Sequence, residues 1–105
     1  MGKIESEYQK RLKKKIKLRY PGCYILKNDP GCIQGIPDLL ILHGDKWAML
    51  EVKKDATAKH QPNQDIHVER LNNMSYAAFI FPENEEEVLN ELDRKFETSG
   101  TTRVV

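Results

Sequence analysis

The chain has 105 residues, of which 39% are hydrophobic and 31% charged, and its formal net charge is +1. This length suits one globular domain with a single core, and no apolar run reaches the ~20 residues that a membrane helix needs. The first residues lack the apolar region of a signal peptide, and two cysteines are too few for a disulfide framework. We therefore expect a cytoplasmic protein with reduced thiols and no membrane partner.

The N-terminal third predicts a helix and a short strand. Apolar residues recur at every fourth position over 4–19, which is the spacing of an amphipathic helix, and Pro21 with Gly22 ends it. A strand is expected over 23–27. The residues at 28–31, Asn-Asp-Pro-Gly, are typical of a turn.

The middle of the chain predicts a β-hairpin. Strands over 38–43 and 46–53 flank Gly44-Asp45, a pair suited to a two-residue type II′ turn. The continuous apolar run at 39–42 predicts that the first of these strands is buried on both faces.

The remaining elements complete an α/β pattern. A helix is expected over 62–74, a third apolar strand over 76–81 and a last helix over 83–97, while 98–105 resembles a flexible tail. The order predicts a mixed central β-sheet flanked by helices, in one domain that spans 1–97.

The hairpin register brings two carboxylates together. A turn at Gly44-Asp45 pairs residues whose numbers sum to 89, so Asp38 is expected to face Glu51, with Cβ atoms roughly 4.5–5.5 Å apart. Lys53 lies two residues further along and projects from the same face.

Two opposed carboxylates repel unless a cation lies between them. Mg²⁺ or Mn²⁺ suits this position, because such ions take one or two carboxylates together with water and phosphate oxygens. Lys53 beside the ion could orient an attacking water or stabilise charge on a phosphate. The simpler alternative is a surface ion pair between Glu51 and Lys53. The apolar neighbours of Glu51 on both faces of its strand argue against that alternative.

These residues also carry a family resemblance. Gly35-Ile36-Pro37-Asp38, twelve intervening residues and Glu51-Val52-Lys53 resemble the signature of the PD-(D/E)XK nucleases. The first helix, with Glu5, Tyr8, Gln9 and Leu12, and the segment Pro62-Asn63-Gln64 followed by Glu69-Arg70-Leu71, resemble the virus-type replication-repair (VRR-NUC) group. Its stand-alone phage members are similarly compact. The likeness runs from about residue 4 to 81.

The resemblance implies a restriction-endonuclease-like core and a role for each matched residue. Asp38, Glu51 and the Val52 carbonyl would bind the metal, Lys53 would be the catalytic lysine, and Gln64 would support the site and approach the phosphate. Glu5 would reach the metal from the first helix, through water in one version. The family often has an aromatic residue near the position of His67, and this departure leaves the contacts of the second helix open.

Glu5 has an independent argument from helix geometry. At 100° per residue it lies on the apolar face of the first helix, whereas Glu7 lies outside it. A carboxylate on a buried face needs a partner. Glu7 remains the alternative, and a role for Glu5 in stabilising the helix N-terminus remains open.

The first helix is strongly basic. Residues 1–20 contain eight Lys and Arg against two Glu, a net charge of +6, while 83–97 contain seven acids against two bases, a net of −5. A basic face of this kind would neutralise phosphates without regard to sequence. The expected DNA-binding residues are Lys10, Arg11, Lys13, Lys14, Lys17, Lys54 and Lys59. The spacing of the histidines and cysteines matches no zinc module.

The expected function is a Mg²⁺- or Mn²⁺-dependent endonuclease that hydrolyses DNA phosphodiesters. The resemblance implies a homodimer that cuts branched DNA such as a Holliday junction, in a bacterial host cell if the protein is phage-encoded. Nicking, flap and restriction-like nucleases of the same fold are alternatives. So are a non-catalytic basic DNA-binding accessory protein and, with least support, a protein adaptor that uses the acidic last helix. No residue pattern selects DNA over RNA.

Overall fold

The computed structural model describes residues 2–97, and the expected tail at 98–105 lies outside them. The elements are α1 (Gly2–Arg19), β1 (Tyr24–Lys27), β2 (Leu39–His43), β3 (Lys46–Val52), α2 (Gln64–Met74), β4 (Ala77–Ile80), a 3-10 turn (Pro82–Asn84) and α3 (Glu85–Glu97). This order confirms the expected succession of elements. No helix within the described part of the chain is long and apolar enough to cross a membrane.

The four strands form one mixed sheet in the order β1-β2-β3-β4. β1 and β2, and β2 and β3, run antiparallel, whereas β3 and β4 run parallel and are connected by α2. The expected α/β class with a mixed central sheet is thereby confirmed. β3 is an interior strand, with a partner on each side.

The hairpin between β2 and β3 has the predicted register. Leu42 pairs with Trp47 and Leu40 with Met49. Gly44 has a φ of +64°, while Asp45 is not among the residues with positive φ. This combination fits a type II′ turn, in which the first central residue alone has positive φ.

The hydrophobic core lies on one face of the sheet. α1 and α3 pack there against alternate residues of the strands, since side chains at i and i+2 project from the same face. Leu12 and Ile16 of α1 and Leu92 of α3 are fully buried there, with Leu39 and Ile41 of β2. The prediction that residues 4–19 bury every fourth residue is correct from Tyr8 onward, but Ile4 is 64% exposed.

The opposite face of the sheet is covered over only part of its width. α2 packs on β3 and β4, and its Ser75 cap donates a hydrogen bond to the Trp47 carbonyl. Leu42 of β2 remains 37% exposed, and Tyr24 of β1 is 68% exposed. The prediction that the run at 39–42 is buried on both faces was therefore wrong, because no helix of the described chain covers β1 and β2 on this side.

The basic and acidic segments contact each other. Lys15 of α1 forms an ion pair with Glu85 at 2.5 Å. Arg19 donates two hydrogen bonds to the carboxylate of Asp93, at 2.9 and 2.7 Å. Part of the positive charge of α1 is therefore neutralised by α3.

Candidate active site

All five side chains predicted for catalysis border one cavity of about 530 Å³ beside the C-terminal end of β3: Glu5, Asp38, Glu51, Lys53 and Gln64. They come from α1, from the residue before β2, from β3 and its end, and from the first position of α2. Long-range folding thus brings together residues that are up to 59 positions apart in the chain.

Asp38 is positioned by the turn before β2. The Asn28 backbone N–H donates to the Asp38 carbonyl at 2.8 Å, and the Asn28 side-chain amide donates to the Pro37 carbonyl at 2.9 Å. Asp38 Oδ2 in turn accepts a hydrogen bond from the Val52 backbone N–H at 3.0 Å. The backbone ladder between β2 and β3 ends at Leu39, and this side-chain hydrogen bond continues the contact by one residue. It therefore holds Asp38 beside β3.

Glu51 is almost completely buried, with 3% of its surface exposed. Its Oε2 accepts a hydrogen bond from Gln64 Nε2 at 2.9 Å and lies 3.6 Å from Lys53 Nζ. Among the residues that the structure describes, its Oε1 is the buried side-chain oxygen with no hydrogen-bond partner. An unsatisfied buried carboxylate oxygen is costly, which makes this atom a candidate ligand for a cation.

Lys53 is equally buried, with 6% exposed, and its ammonium is held from three directions. It donates to Gln64 Oε1 at 2.9 Å and to the Lys59 carbonyl at 3.1 Å, and it lies beside Glu51. Gln64 Oε1 also accepts the Gln61 backbone N–H at 2.8 Å. The Gln64 amide is therefore oriented with its oxygen toward the lysine and its nitrogen toward the glutamate.

Burial and a neighbouring carboxylate disfavour the ionised form of Glu51. The pKa of Glu51 is raised to about 7, chiefly by burial and next by the charge of Asp38, while the ammonium of Lys53 opposes the rise. A carboxylate shifted in this way is stabilised in its ionised form by a bound cation.

A close backbone contact sets the start of α2. Gly35 has a φ of +85°, and a Cβ built on it would lie 2.7 Å from the Pro62 carbonyl oxygen and 2.8 Å from Asn63. Asn63 itself adopts the left-handed conformation, with φ of 71°. Glycine is thus required where the Gly35 segment meets the residues that immediately precede Gln64.

The donor set fits a divalent ion with oxygen preference. Within residues 2–97, no group of three or more His, Cys, Asp or Glu side chains is placed to hold a metal. Mg²⁺ commonly takes one or two protein carboxylates and fills its other positions with water and substrate oxygens, so Asp38 and the free oxygen of Glu51 meet its needs. Glu5 borders the same cavity, and its contact with the ion, directly or through water, stays a prediction. The Val52 carbonyl stays a predicted ligand.

The residues predicted to bind DNA fall into two groups. Lys54 and Lys59 border the cavity. On α1, Lys10, Lys14 and Lys17 are exposed and Lys13 is partly exposed, while the Arg11 guanidinium lies 5.9 Å from the centre of the Tyr8 ring. Lys15 and Arg19, on the same basic helix, are engaged by α3.

Several contributors were not foreseen from the sequence. Asn28 was interpreted only as turn chemistry, and the carbonyl of Lys59 and the backbone N–H of Gln61 carry no side-chain signal at all. His60 stacks on Phe79 and lies 2.8 Å from Asp65, two contacts that the sequence did not indicate. The polar loop between Lys53 and Gln64 was the one sequence feature that could have indicated these contacts.

Comparisons of the chain with models of protein families, with curated proteins and with solved structures found no match.

Proposed function

We propose that this chain is a metal-dependent DNA endonuclease with a restriction-endonuclease-like core, using Mg²⁺ or Mn²⁺. One observation carries the proposal: buried Glu51 has a raised pKa and an unpartnered oxygen, and it lies beside a second carboxylate and a buried lysine in an open polar cavity. A purely structural ion pair would satisfy its oxygens internally, and it would not need Asp38 nearby.

The residues divide the chemistry among them. Asp38, Glu51 and the Val52 carbonyl would hold the ion, with Glu5 in contact through water. The bound ion would neutralise negative charge on the phosphate and lower the pKa of a water molecule. Lys53 stabilises the negative charge that develops on the phosphate when the water oxygen bonds to phosphorus and the 3′ oxygen departs. Gln64 keeps the lysine and glutamate aligned. Hydrolysis in this direction leaves 5′-phosphate and 3′-hydroxyl ends.

The fixed position of Lys53 is a catalytic advantage. Its ammonium is already held by Gln64 Oε1 and the Lys59 carbonyl, so little ordering is needed when substrate binds. Lys54 and Lys59 at the rim would contact flanking phosphates. Their contribution would weaken with salt, because phosphate contacts release counterions.

The test is cleavage of labelled DNA by the wild type and by Glu51→Gln, which keeps the side-chain shape. We expect the wild type to cut in Mg²⁺ or Mn²⁺ and not in EDTA, and the variant to lose at least 100-fold in rate. Asp45→Asn, a change at a 91%-exposed side chain in the hairpin turn, is the control and should cut normally. A four-way junction, a flap and plain duplex compared together would separate a junction-selective enzyme from flap, nicking or restriction-like relatives.

The exposed lysines of α1 favour one other function, a DNA-binding accessory protein without catalysis. In that case the wild type would bind the junction, with affinity falling steeply as salt rises, and neither metal would produce cleavage. This outcome would overturn the catalytic proposal while leaving the basic face of α1 explained.

A further inference from the structure

His60 lies beside the candidate active site without bordering its cavity. It belongs to the loop 54–63, which connects β3 to α2 and contributes Lys59 and Gln61 to the cavity wall. His60 stands between these two residues in the chain, and its ring contacts the sheet. The residue therefore connects the cavity wall to the rest of the fold.

The ring of His60 stacks on the ring of Phe79 in β4. The two ring centroids are 4.0 Å apart, and the ring planes are inclined by 16°. Phe79 is the direct partner of Glu51 in the parallel ladder between β3 and β4, so both side chains project from the same face of the sheet. The stacked pair therefore lies next to Glu51, on the side opposite to Asp38 and β2.

A second contact joins His60 to the first turn of α2. The His60 Nδ1 atom lies 2.8 Å from Oδ1 of Asp65, the residue after Gln64. An ionised carboxylate only accepts hydrogen bonds, so the imidazole donates through Nδ1. Asn63, which precedes the helix, makes no side-chain capping bond. His60 therefore connects the loop to α2 at a position where the usual capping bond is missing.

The backbone groups on either side of His60 hold the two polar side chains of the site. The Lys59 carbonyl accepts a hydrogen bond from Lys53 Nζ at 3.1 Å, and the Gln61 N–H donates one to Gln64 Oε1 at 2.8 Å. We call residues 59–61 the clamp. Both bonds depend on where the clamp backbone lies, and the His60 side chain fixes it between a strand and a helix.

The preceding part of the loop gives the clamp little support. Asp55 accepts hydrogen bonds from the backbone N–H and the hydroxyl of Thr57, and both bonds stay within the loop. Lys59 and Gln61 are exposed, so burial does not hold them in place. Exposed loops of this kind open locally at low free energy. The contacts of His60 therefore restrict the clamp to the conformation in which the Lys59 carbonyl meets the lysine ammonium.

We propose that His60 is a positioning residue for the hydrolysis proposed above and acts on Lys53 and Gln64 through the clamp. The inference rests on the proposed function, because Lys53 needs a fixed direction only if it stabilises charge on a phosphate. Catalytic groups must be held within ~0.5 Å of their productive geometry, and a misplacement of ~1 Å can cost about 100-fold in rate. Loss of the His60 ring should therefore slow the chemical step and leave the groups that bind metal and DNA in place.

The first test measures the position of Lys53 and requires no cleavage. Trace acetylation with acetic anhydride, followed by mass spectrometry, compares the reactivity of Lys53 with that of the exposed Lys10 in the same protein. Wild-type Lys53 should be strongly protected, because it is 6% exposed and its ammonium donates to Gln64 and to the Lys59 carbonyl. His60→Ala should raise the relative reactivity roughly 10-fold, because local opening frees the amine.

The second test is single-turnover cleavage beside a DNA-binding titration, in Mg²⁺ or Mn²⁺. His60→Ala should lower the rate constant at saturating DNA about 10- to 100-fold, with DNA affinity within about 2-fold of the wild type. His60→Phe keeps an aromatic ring on Phe79 and should recover most of the rate and of the Lys53 protection. Ile66→Ala, at a 49%-exposed residue in the first turn of α2, is the matched control and should behave as the wild type in both tests.

The outcomes distinguish this inference from the proposed function. Unchanged protection of Lys53 in His60→Ala would overturn the inference, whether or not the wild type cuts DNA. Weaker DNA binding at a normal cleavage rate would also overturn it, in favour of a direct phosphate contact. His60→Phe as damaging as His60→Ala would overturn the role of the stack. If His60→Ala exposed Lys53 but the wild type cut no DNA in either metal, the proposed function would fail and the action of the clamp on Lys53 would stand.

Folding of the variants is checked by circular dichroism and urea unfolding. Should His60→Ala fail to fold, Asp65→Ala takes its place, because it removes only the hydrogen bond to His60 at a 72%-exposed side chain. It should increase the reactivity of Lys53 and slow cleavage in the same direction, by smaller factors. No change in either measurement would overturn the contribution of this hydrogen bond.

Discussion

Replacing Glu51 with glutamine should stabilise the metal-free protein at alkaline pH. Burial and Asp38 raise the pKa of Glu51 from its ordinary 4.5 to about 7. Between about pH 4.5 and 7 the unfolded chain has released a proton that the folded protein retains, so this group makes stability fall as pH rises. The full effect, above the folded pKa, is on the order of 3 kcal/mol, at about 1.4 kcal/mol for each pKa unit.

Glu51→Gln removes this penalty because its side chain stays neutral. At about pH 4 the two proteins should unfold with nearly equal free energies, since Glu51 is protonated there in both the folded and the unfolded wild type. At about pH 8 the variant should be more stable by up to ~3 kcal/mol, which for a domain of this size is a rise in Tm of more than ~10 °C. Urea unfolding in EDTA at a series of pH values measures the difference directly.

Millimolar Mg²⁺ should narrow the difference in stability at about pH 8. A cation that binds the folded site stabilises it by mass action. It should therefore raise the Tm of the wild type while leaving Glu51→Gln nearly unchanged. Asp45→Asn serves as the control, with no pH-dependent difference from the wild type. If Glu51→Gln were equally or less stable than the wild type at every pH, ionised Glu51 would not be an energetic burden and the electrostatic reasoning would fail.

Three further predictions concern the support of the site. Gly35→Ala should cost about 1–3 kcal/mol and slow cleavage, because its Cβ would meet the Pro62 carbonyl and displace the start of α2. Gly22 has a similar φ of +88°, but a Cβ built on it would meet nothing within 4 Å. Gly22→Ala should therefore lose less stability in urea unfolding and should cleave DNA normally. Gln64→Met should lower kcat at least 100-fold with DNA affinity retained, as measured by single-turnover cleavage beside a binding titration. The hydrogen bonds from Arg19 hold the pKa of Asp93 below its usual value. The wild type should therefore be more stable than Asp93→Asn at neutral pH, and this difference should disappear as acid protonates the folded carboxylate. Urea unfolding at a series of pH values measures it.

The hairpin was the part of the fold that local sequence determined best. Gly44 at a position of positive φ fixes a two-residue turn, and the turn fixes every pair up the ladder. Glu51 and Lys53 then follow by alternation along β3. Asp38 lies one residue outside the strand, and its contact with the Val52 N–H depends on a turn held by Asn28, which no periodicity indicates.

Tertiary packing accounts for what was mispredicted. A continuous apolar run such as 39–42 predicts burial, but it cannot show whether a helix of the chain reaches each face of the strand. Lys15 and Arg19 are indistinguishable in sequence from the exposed lysines of α1, and α3, more than 60 residues away, determines which of them are neutralised. The orientation of the Gln64 amide likewise rests on backbone groups of the preceding loop.

Tyr8 of α1 and Tyr20, which directly follows α1, connect the two ends of the described chain. Tyr8 donates a hydrogen bond to Glu85 at 2.8 Å, and Tyr20 donates one to Asp93, so both phenols are satisfied by α3. A chain that stops before Glu85 would contain every carboxylate of the site, but it would leave these phenols, and the apolar side of α1, without their partners. During synthesis, α1, which brings Glu5 to the cavity, would therefore pack stably only after α3 has emerged. The candidate site would then be complete only when the whole domain has folded.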